Sequence, residues 1–352
     1  MQEAFRVERA NLRRDRNVAE ITDFLRRFDL DFDADVEVTL ALRDQDGTLV
    51  GTGSAKGEVL RNIAVDEAMQ GAGLTATILS SLMQEMARKG VMHYFIFTRP
   101  AKAFLFESLG FSEIARAEPY AALLENGLGS VAAYCDAVVA ETENLPANRA
   151  AMVINANPFT LGHQALVAKA AAECPGVIVF VVSEDRSLFP YADRLRLVRE
   201  GLAHLANVAV VEGGKYIISA ATFPTYFTRE HDHANAQTRL DCALFARQIA
   251  PRLGITRRYA GEEPYCRVTA EYNAAMREIL PDAGIAVHTM PRVAVDGEVV
   301  SASRVRELLR VNDWPRLEKL LPPTTLDYLR SEEGRTLLEE RMRLFNVDLL
   351  QG

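Results

Sequence analysis

The sequence predicts an α/β protein of two domains, a mixed α/β domain followed by a doubly wound parallel α/β domain. The first 130 residues contain a hairpin, in which strands at 36–42 and 49–56 flank a turn at 44–47. From Ala150 onward, apolar strands alternate with helices, which is typical of a parallel sheet covered on both faces. The 352 residues suffice for two hydrophobic cores.

The domain limits follow from changes in this pattern. We expect residues 1–130 to form the first domain, 131–148 a linker region, and 149–352 the second domain with helices at its C-terminus. The linker region contains a short helix at 131–141 and then a polar, proline-containing stretch. No internal repeat or low-complexity segment is found.

Periodicity predicts the elements of each domain. In the first domain, Ile21, Phe24, Leu25 and Phe28 form one face of a helix, and a second helix covers 74–87. Its further strands are expected at 59–65 and 93–98, with 120–125 completing the sheet. In the second domain, strands are expected at 151–156, 177–182, 208–211, 258–261 and 285–290, and helices at 163–173, 192–206, 235–251 and 270–280. Leu317, Leu320 and Leu321 are expected to be core.

Composition excludes several classes of protein. Hydrophobic residues make up 49% and charged residues 25%, as in ordinary globular proteins. The net charge of −8 argues against a general nucleic-acid binder. We expect no signal peptide and no membrane span. The four scattered cysteines favour buried free thiols over a disulfide framework or a zinc site, which predicts a cytoplasmic protein.

One turn of the second domain predicts an anion-binding site. Residues 152–163 read Met-Val-Ile-Asn-Ala-Asn-Pro-Phe-Thr-Leu-Gly-His and run into an alanine-rich helix. A strand that feeds a helix through a tight turn directs backbone N–H groups and the positive end of the helix dipole into one pocket. Ligands of doubly wound sheets bind at this carboxyl edge. We therefore expect nucleotide phosphates at the turn.

A similar turn occurs in the first domain. Residues 70–75, Gln-Gly-Ala-Gly-Leu-Thr, follow a strand and open a helix, and a later segment at 104–111 ends in Leu-Gly-Phe. Both features resemble the GNAT acyltransferase superfamily, although Thr75 stands where that family prefers Gly or Ala. The candidates for a general base are Glu107 and Tyr120, by residue type alone. The resemblance implies a site for a CoA-like arm, for which we predict Ile63, Val65, Gln70, Gly71, Gly73, Leu74 and Thr75.

The second domain resembles the nucleotidylyltransferase superfamily. Its signature is His-x-Gly-His, or Thr-x-Gly-His in one branch, and Thr-Leu-Gly-His stands at 160–163. The second signature of that superfamily, Ile-Ser-x-x-x-Ile/Val-Arg, resembles Val-Ser-Ala-Ser-Arg-Val-Arg at 300–306. Two such helix starts are much harder to obtain by chance than one. The resemblance implies attack of a nucleophile on the α-phosphate of a nucleoside triphosphate, with pyrophosphate leaving.

This chemistry needs alignment and charge neutralisation more than covalent work by the protein. The resemblance implies ATP as substrate, Mg²⁺ bridging its phosphates, and three catalytic residues: His163, Thr160 and Arg306. It further implies a set of nucleotide-binding residues, which are Asn155, Asn157, Pro158, Phe159, Gly162, Gly261, Glu262, Ser301, Ser303 and Arg304. Glu262 or its neighbour Glu263 would contact the ribose.

The order of the two domains and the loops after the strands resemble the citrate lyase ligase family over nearly the whole chain. That family implies an acid–thiol ligase that uses ATP and acetate to form acetyl adenylate. The acetyl group then passes to a thiol on the acyl carrier subunit of citrate lyase, carried by phosphoribosyl-dephospho-CoA, and the lyase becomes active. We infer that the GNAT-like domain holds this arm.

Several candidates and alternatives remain open. Lys215, Arg194 and Arg186 are candidates for binding acetate, although such residues are often solvated charges. The pair His231 and His233 is interpreted as a polar loop, so no metal site is predicted. The alternative activities are nucleotidylyl transfer to a phosphorylated acceptor, and protein acetylation by the GNAT-like domain with a regulatory nucleotide-binding domain.

Overall fold

The computed structural model describes residues 5–33, 35–69, 73–185, 187–217, 223–224, 226–227, 233–262 and 267–345. The chain forms two compact units. One comprises Met1–Ala133 with Phe223–Leu240, and the other Tyr134–Thr222 with Asp241–Gly352. The stretch that begins at Phe223 comes after the third parallel strand in the sequence, so the chain leaves the second unit, returns to the first, and re-enters the second.

The first unit is built on a seven-stranded mixed sheet of strand order β1-β2-β3-β4-β5-β7-β6. Among its described strand pairs, β4–β5 alone is parallel. The strands are β1 (Arg6–Arg9), β2 (Val38–Arg43), β3 (Leu49–Lys56), β4 (Val59–Val65), β5 (His93–Thr98), β6 (Ser112–Ala117) and β7 (Ala121–Gly127). The helices are α1 (Asp15–Arg26), α2 (Leu74–Ala87), α3 (Ala103–Glu107) and α4 (Val131–Glu141), of which the last continues into the second unit.

Glycines in β3 allow α2 to pack closely on the sheet. A Cβ atom on Gly53 would lie 2.5 Å from Ile78 Cγ2 and 2.8 Å from Leu82 Cδ1, both on α2. Ile78 and Leu82 are fully buried. The helix therefore seats its apolar face where β3 lacks side chains.

The sequence did not predict β1 or β6, and both are edge strands. The first reads Arg-Val-Glu-Arg and the second Ser-Glu-Ile-Ala-Arg-Ala. Charged residues are common on edge strands because they discourage pairing with other chains. This composition removes the apolar run by which inner strands are recognised.

The stretch that returns to the first unit contacts it through Tyr226. The Tyr226 hydroxyl donates to the Phe97 carbonyl at 2.6 Å, and the Tyr226 carbonyl accepts from the Asp31 N–H at 2.9 Å. The Arg61 guanidinium lies 6.0 Å from the centre of the Tyr226 ring. Phe97 also meets Phe223 edge-on, with ring centres 5.5 Å apart. Part of the sequence predicted for the second domain thus completes the core of the first.

The second unit contains a five-stranded sheet in which every described pair is parallel, of order β10-β9-β8-β11-β12. The strands are β8 (Arg149–Ile154), β9 (Val177–Val181), β10 (Val208–Glu212), β11 (Ile255–Gly261) and β12 (Ala286–Met290). The order reverses between β8 and β11, so the loops after these two strands flank the topological switch point. The predicted doubly wound α/β class is confirmed.

Helices cover both faces of this sheet, and every residue of β9 is buried. The helices from here to the C-terminus are α5 (Leu161–Glu173), α6 (Tyr191–Leu202), α7 (His233–Leu244), which begins in the first unit, α8 (Ala250–Arg252), α9 (Arg267–Ile279), α10 (Ala302–Arg310), α11 (Trp314–Leu320), α12 (Pro323–Arg330) and α13 (Glu332–Phe345). A π-helical turn, Phe245–Ile249, connects α7 with α8. The short hairpin β13 (Ala294–Val295) and β14 (Glu298–Val299) was not predicted. Leu317, Leu320 and Leu321 are buried as predicted.

Among the described residues, each helix is too short or too polar to traverse a lipid bilayer.

Candidate active site

The turn between β8 and α5 is organised by a reciprocal cap. Thr160 is the N-cap of α5, and its Oγ1 accepts from the His163 backbone N–H at 3.4 Å. In return, the Thr160 backbone N–H donates to His163 Nδ1 at 3.1 Å. Because a backbone N–H can only donate, Nδ1 must accept, so the imidazole proton lies on Nε2. His163 therefore presents a neutral N–H donor at the start of a helix.

His163 stays neutral over the physiological range. Burial, and to a smaller extent the charge of Arg292, lower its pKa from 6.5 to about 4. The imidazole stacks on the fully buried ring of Phe159, with ring centres 5.8 Å apart and planes at 16°. A Cβ on Gly201 would lie 2.4 Å from this phenyl ring, so α6 fixes the ring from behind.

Three side chains from different helices hold alternate carbonyl oxygens of the loop before the cap. The pairs are Arg194 Nη1 with the Asn155 oxygen at 2.7 Å, Arg306 Nη1 with the Asn157 oxygen at 2.8 Å, and Thr325 Oγ1 with the Phe159 oxygen at 3.0 Å. These oxygens would repel a phosphate if they faced it. Since they are engaged with donors, the loop is arranged to favour an anion at the start of α5.

Arg194, a candidate for binding acetate, is fully buried. Besides Asn155, its guanidinium donates to the carbonyl oxygens of Val182 at 2.9 Å and of Phe189 at 3.1 Å. Burial lowers its pKa. The structure thus places Arg194 between the loops that follow β8 and β9, where it connects their backbones.

The second signature packs directly against the first. Ser301 is the N-cap of α10, and its Oγ accepts from the Arg304 N–H at 3.1 Å. A Cβ on Gly162 would lie 3.1 Å from the Val300 carbonyl oxygen, a tight contact that glycine avoids. Arg306 spans the two signatures, because its Nη2 donates to Ser303 Oγ at 3.2 Å while Nη1 holds Asn157. The structure brings the two predicted helix starts together.

The other predicted nucleotide-binding residues differ in their surroundings. The Asn157 side-chain oxygen accepts from the Phe189 N–H at 3.1 Å, and Pro158 is buried behind a cis peptide bond. Arg304 is ion-paired with Glu298 at 2.6 Å and Glu307 at 2.8 Å. Further positions are at the strand ends: Asn155 and Glu262 are exposed, Gly261 ends β11, and Lys215 is exposed beyond β10. Arg186 and Glu263 lie outside the described residues.

The sequence reasoning missed Arg292, which follows β12 at the same edge of the sheet. The half-buried Arg292 donates from Nε to the Glu262 carbonyl oxygen at 3.0 Å. Its charge acts on His163, and burial lowers its own pKa. The available signal was its position two residues after a parallel strand, where ligand contacts concentrate.

In the first unit, the turn before α2 has a different construction. Gly73 is the N-cap, with φ of +72° and no side-chain cap, followed by buried Leu74 and half-buried Thr75. Ile63 and Val65 lie on the preceding strand β4. Gln70 and Gly71 lie outside the described residues. Glu107 is exposed, and Tyr120 lies 5.9 Å beneath the Arg239 guanidinium.

Within the described ranges, no group of three His, Cys, Asp or Glu side chains is arranged to bind a metal ion. His233 opens α7 with its ring 5.1 Å from that of Phe223, and His231 lies outside those ranges.

Comparisons with known proteins decide the family. The family model for the citrate lyase ligase C-terminal domain matches residues 149–329. The [Citrate [pro-3S]-lyase] ligase of Klebsiella pneumoniae is 39% identical over 330 residues, covering 92% of this chain and 96% of that protein. The chain belongs to the citrate lyase ligase family. The ligase of Escherichia coli (strain K12), with 37% identity over 93% of each chain, agrees.

Two more distant likenesses concern parts of the chain. A phosphopantetheine adenylyltransferase of Corynebacterium glutamicum (strain R) is 30% identical over 118 residues, which is 33% of this chain and 69% of that protein. The crystal structure of the ribosomal-protein-S18-alanine N-acetyltransferase from Escherichia coli covers 36% of this chain and 95% of its own, with 20% identity and a TM-score of 0.30. The predicted membership of the citrate lyase ligase family, and with it the ligase class, is confirmed.

Proposed function

We propose that this protein uses ATP to activate acetate and transfers the acetyl group to the prosthetic-group thiol of the citrate lyase acyl carrier subunit, which activates the lyase. The proposal rests on one observation above all. A neutral His163 Nε2–H donor stands at a helix start that packs against the second helix start at Ser301, in a chain of this family. We place the reaction in the cytoplasm, where ATP is available.

In the first step, an acetate oxygen attacks the α-phosphorus of ATP. The bond from this phosphorus to the bridging oxygen breaks, and pyrophosphate leaves with the electron pair. His163 Nε2–H donates to an α-phosphate oxygen, and the N–H groups at the starts of α5 and α10 face the phosphates. Ser301, Ser303 and Arg306 hold the departing β- and γ-phosphates, while Thr160 orients His163. Gly261 and Glu262 meet the ribose.

In the second step, the carrier thiol loses its proton to solvent, and its sulfur attacks the acetyl carbon of acetyl adenylate. The bond from this carbon to the phosphate oxygen breaks, and AMP leaves. We propose that the turn before α2 binds the CoA-derived arm, since its left-handed Gly73 allows close backbone approach. Lys215 is the exposed cation that we propose for acetate. Arg194 positions the loops, since its donors already hold backbone oxygens.

Mg²⁺ enters the proposal as a counterion of the ATP phosphates. The described residues offer no trio of carboxylate, His or Cys side chains for a resident ion, so we expect its ligands to be phosphate oxygens and water.

Acetate-dependent exchange of labelled pyrophosphate into ATP tests the adenylation step. We expect exchange by the unaltered protein, and a loss of about 100-fold to 1000-fold in turnover for His163→Ala, the range for removing one transition-state donor. His204→Ala, at an exposed position in the turn after α6, is the control that should keep full exchange. Exchange without acetate, or indifference to His163→Ala, would count against the proposal.

The similarity to phosphopantetheine adenylyltransferase favours one alternative, adenylyl transfer to a phosphorylated acceptor. The same assay distinguishes the two, because 4′-phosphopantetheine would then replace acetate in supporting exchange.

A charge at Gly73 tests the proposed carrier site. Gly73→Asp should slow acetyl transfer to the carrier by about tenfold and leave pyrophosphate exchange unchanged, because a carboxylate repels the phosphates of the arm. Gly73→Asn is the matched control, since it has the same shape and tolerates positive φ without the charge. If the two variants behave alike, the arm binds elsewhere.

A further inference from the structure

Arg292 belongs to none of the sequence signatures, yet it stands where three segments of the second unit meet. Its Nε donates to the Glu262 carbonyl oxygen at 3.0 Å, which fixes the guanidinium to the loop after β11. The next residue, Val293, accepts from the Val300 N–H at 2.9 Å, immediately before the Ser301 cap. Val300 in turn lies against Gly162, one residue before His163.

With the phosphates at the two helix starts, as proposed above, these contacts bring the Arg292 cation close to the α-phosphate. Glu262 follows the strand end that we propose for the ribose, and His163 marks the α-phosphate. Arg292 is bonded to the Glu262 carbonyl, and its neighbour Val293 is bonded to Val300, which lies against Gly162 beside His163, so we expect its guanidinium between the ribose and the α-phosphate. Arg306, by contrast, is directed to the Asn157 carbonyl and Ser303, on the side that we propose for the departing phosphates.

The proposed reaction brings two anions together, a carboxylate and a triphosphate. As the carboxylate oxygen bonds to the α-phosphorus, negative charge increases on the equatorial oxygens before the bridging bond breaks. A neutral His163 donates a hydrogen bond there but supplies no positive charge. A fixed guanidinium in a half-buried position offsets this charge more strongly than one in bulk water.

We propose that Arg292 is a catalytic residue that contacts the α-phosphate and stabilises the charge that develops when the carboxylate attacks. This inference rests on the adenylation proposed above. Arg292 then acts on the transition state rather than on substrate binding, so its removal should lower kcat and leave the KM values nearly unchanged.

The test compares Arg292→Gln, Arg292→Lys and the control Arg316→Gln, an exposed arginine on α11. In acetate-dependent pyrophosphate exchange, Arg292→Gln should lower kcat by about 100-fold to 1000-fold. The KM values for ATP and acetate should change by less than about threefold, since the contact strengthens mainly in the transition state. Arg292→Lys should recover about tenfold by restoring charge without the planar fork, and Arg316→Gln should keep full activity.

The pH dependence of kcat distinguishes this function from a purely structural one. Arg292 helps to keep His163 neutral, so its removal should shift the acidic limb of the kcat profile toward neutral pH. Far-UV circular dichroism and thermal melting confirm folding of each variant.

The outcomes separate the two proposals. Absence of acetate-dependent exchange by the unaltered protein overturns the proposed function and this inference with it. Normal exchange by the unaltered protein, together with unchanged kcat in Arg292→Gln or a change only in the KM for acetate, overturns the inference alone.

Discussion

The two units each start a helix from a turn that follows a strand, but the two turns are stabilised in different ways. Before α2, Gly73 adopts φ of +72° and no side chain caps the helix. Before α5, Thr160 and His163 cap each other, and the preceding carbonyl oxygens are held from three other helices. The described end of the first turn uses the conformational freedom of glycine, whereas the second turn is held by side-chain contacts from distant parts of the chain.

This difference bears on chemistry. Stabilising charge in a transition state requires hydrogen-bond donors that are fixed before the reaction, because the free energy needed to reorient them would offset the stabilisation. The second turn meets this requirement with a single imidazole tautomer and engaged carbonyl oxygens. The described part of the first turn offers open backbone, which suits binding of an arm more than catalysis.

The largest effect should come from removing the buried guanidinium behind the second turn. Arg194→Met leaves the carbonyl oxygens of Asn155, Val182 and Phe189 without this donor, and we expect a loss of about 3–5 kcal/mol in the free energy of unfolding of the second unit. Chemical denaturation measures this loss, and hydrogen exchange in α5 locates it.

Arg196→Met on the same helix is the matched control. Arg196 is partly exposed and pairs with Asp193 and Glu333, so its removal should change stability by about 1 kcal/mol or less. Equal losses for the two variants would mean that the loop does not depend on Arg194.

A smaller effect is expected from pH, and only at the second turn. The folded protein keeps His163 neutral down to a pKa of about 4, whereas the unfolded chain takes up a proton near pH 6.5. The unfolded state thus binds more protons between these values, so stability falls as pH decreases through this window. At pH 5 the contribution of this group is about −2 kcal/mol relative to pH 7.5.

His163→Asn removes the titrating group and should reduce the difference in unfolding free energy between pH 7.5 and pH 5 by that amount. An unchanged difference would mean that the imidazole is exposed to solvent in the folded as well as in the unfolded protein.

The sequence could predict features that depend on residues close together in the chain, but not those that depend on contacts between distant residues. β9 was predicted within one residue, because its apolar run Val-Ile-Val-Phe-Val stands out. β11 begins at Ile255 and not at the predicted Arg258, since Thr256 and Arg257 interrupt the apolar pattern at its start. The edge strands β1 and β6 were missed for the same reason, their charges.

The candidate site divides in the same way. The Thr160–His163 pair is three residues apart, so a motif records it. Arg194, Thr325 and Arg292 reach the site from distant positions, and their roles depend on how the helices and strand ends fold together. A sequence shows that an arginine lies near a strand end, but it does not show whether its donors face a ligand or the backbone.

Removing the N-cap of α5 tests how much the second turn depends on its side chains. Thr160→Ala deletes the side-chain oxygen that accepts from the His163 N–H, and we expect a loss of about 1 kcal/mol in stability. The imidazole also loses the hydroxyl 2.9 Å from Nδ1, so pyrophosphate exchange should slow by about tenfold. Thr160→Ser keeps the oxygen and should retain both properties. A stable but inactive Thr160→Ser would show that the methyl group, rather than the cap, is required.

The smallest effect should come from the corresponding change in the first turn. In Gly73→Ala, a Cβ would meet no atom of the described residues within 4 Å, so the expected penalty is that of the positive φ, about 1 kcal/mol. Alanine also restricts the unfolded chain, which returns about 0.4–1 kcal/mol. We therefore expect a net loss of about 0.6 kcal/mol or less in the free energy of unfolding, measured by denaturation and by hydrogen exchange in α2, and unaffected pyrophosphate exchange. A loss as large as that of Thr160→Ala would mean that the first turn is held as firmly as the second, and the contrast between the two turns would not hold.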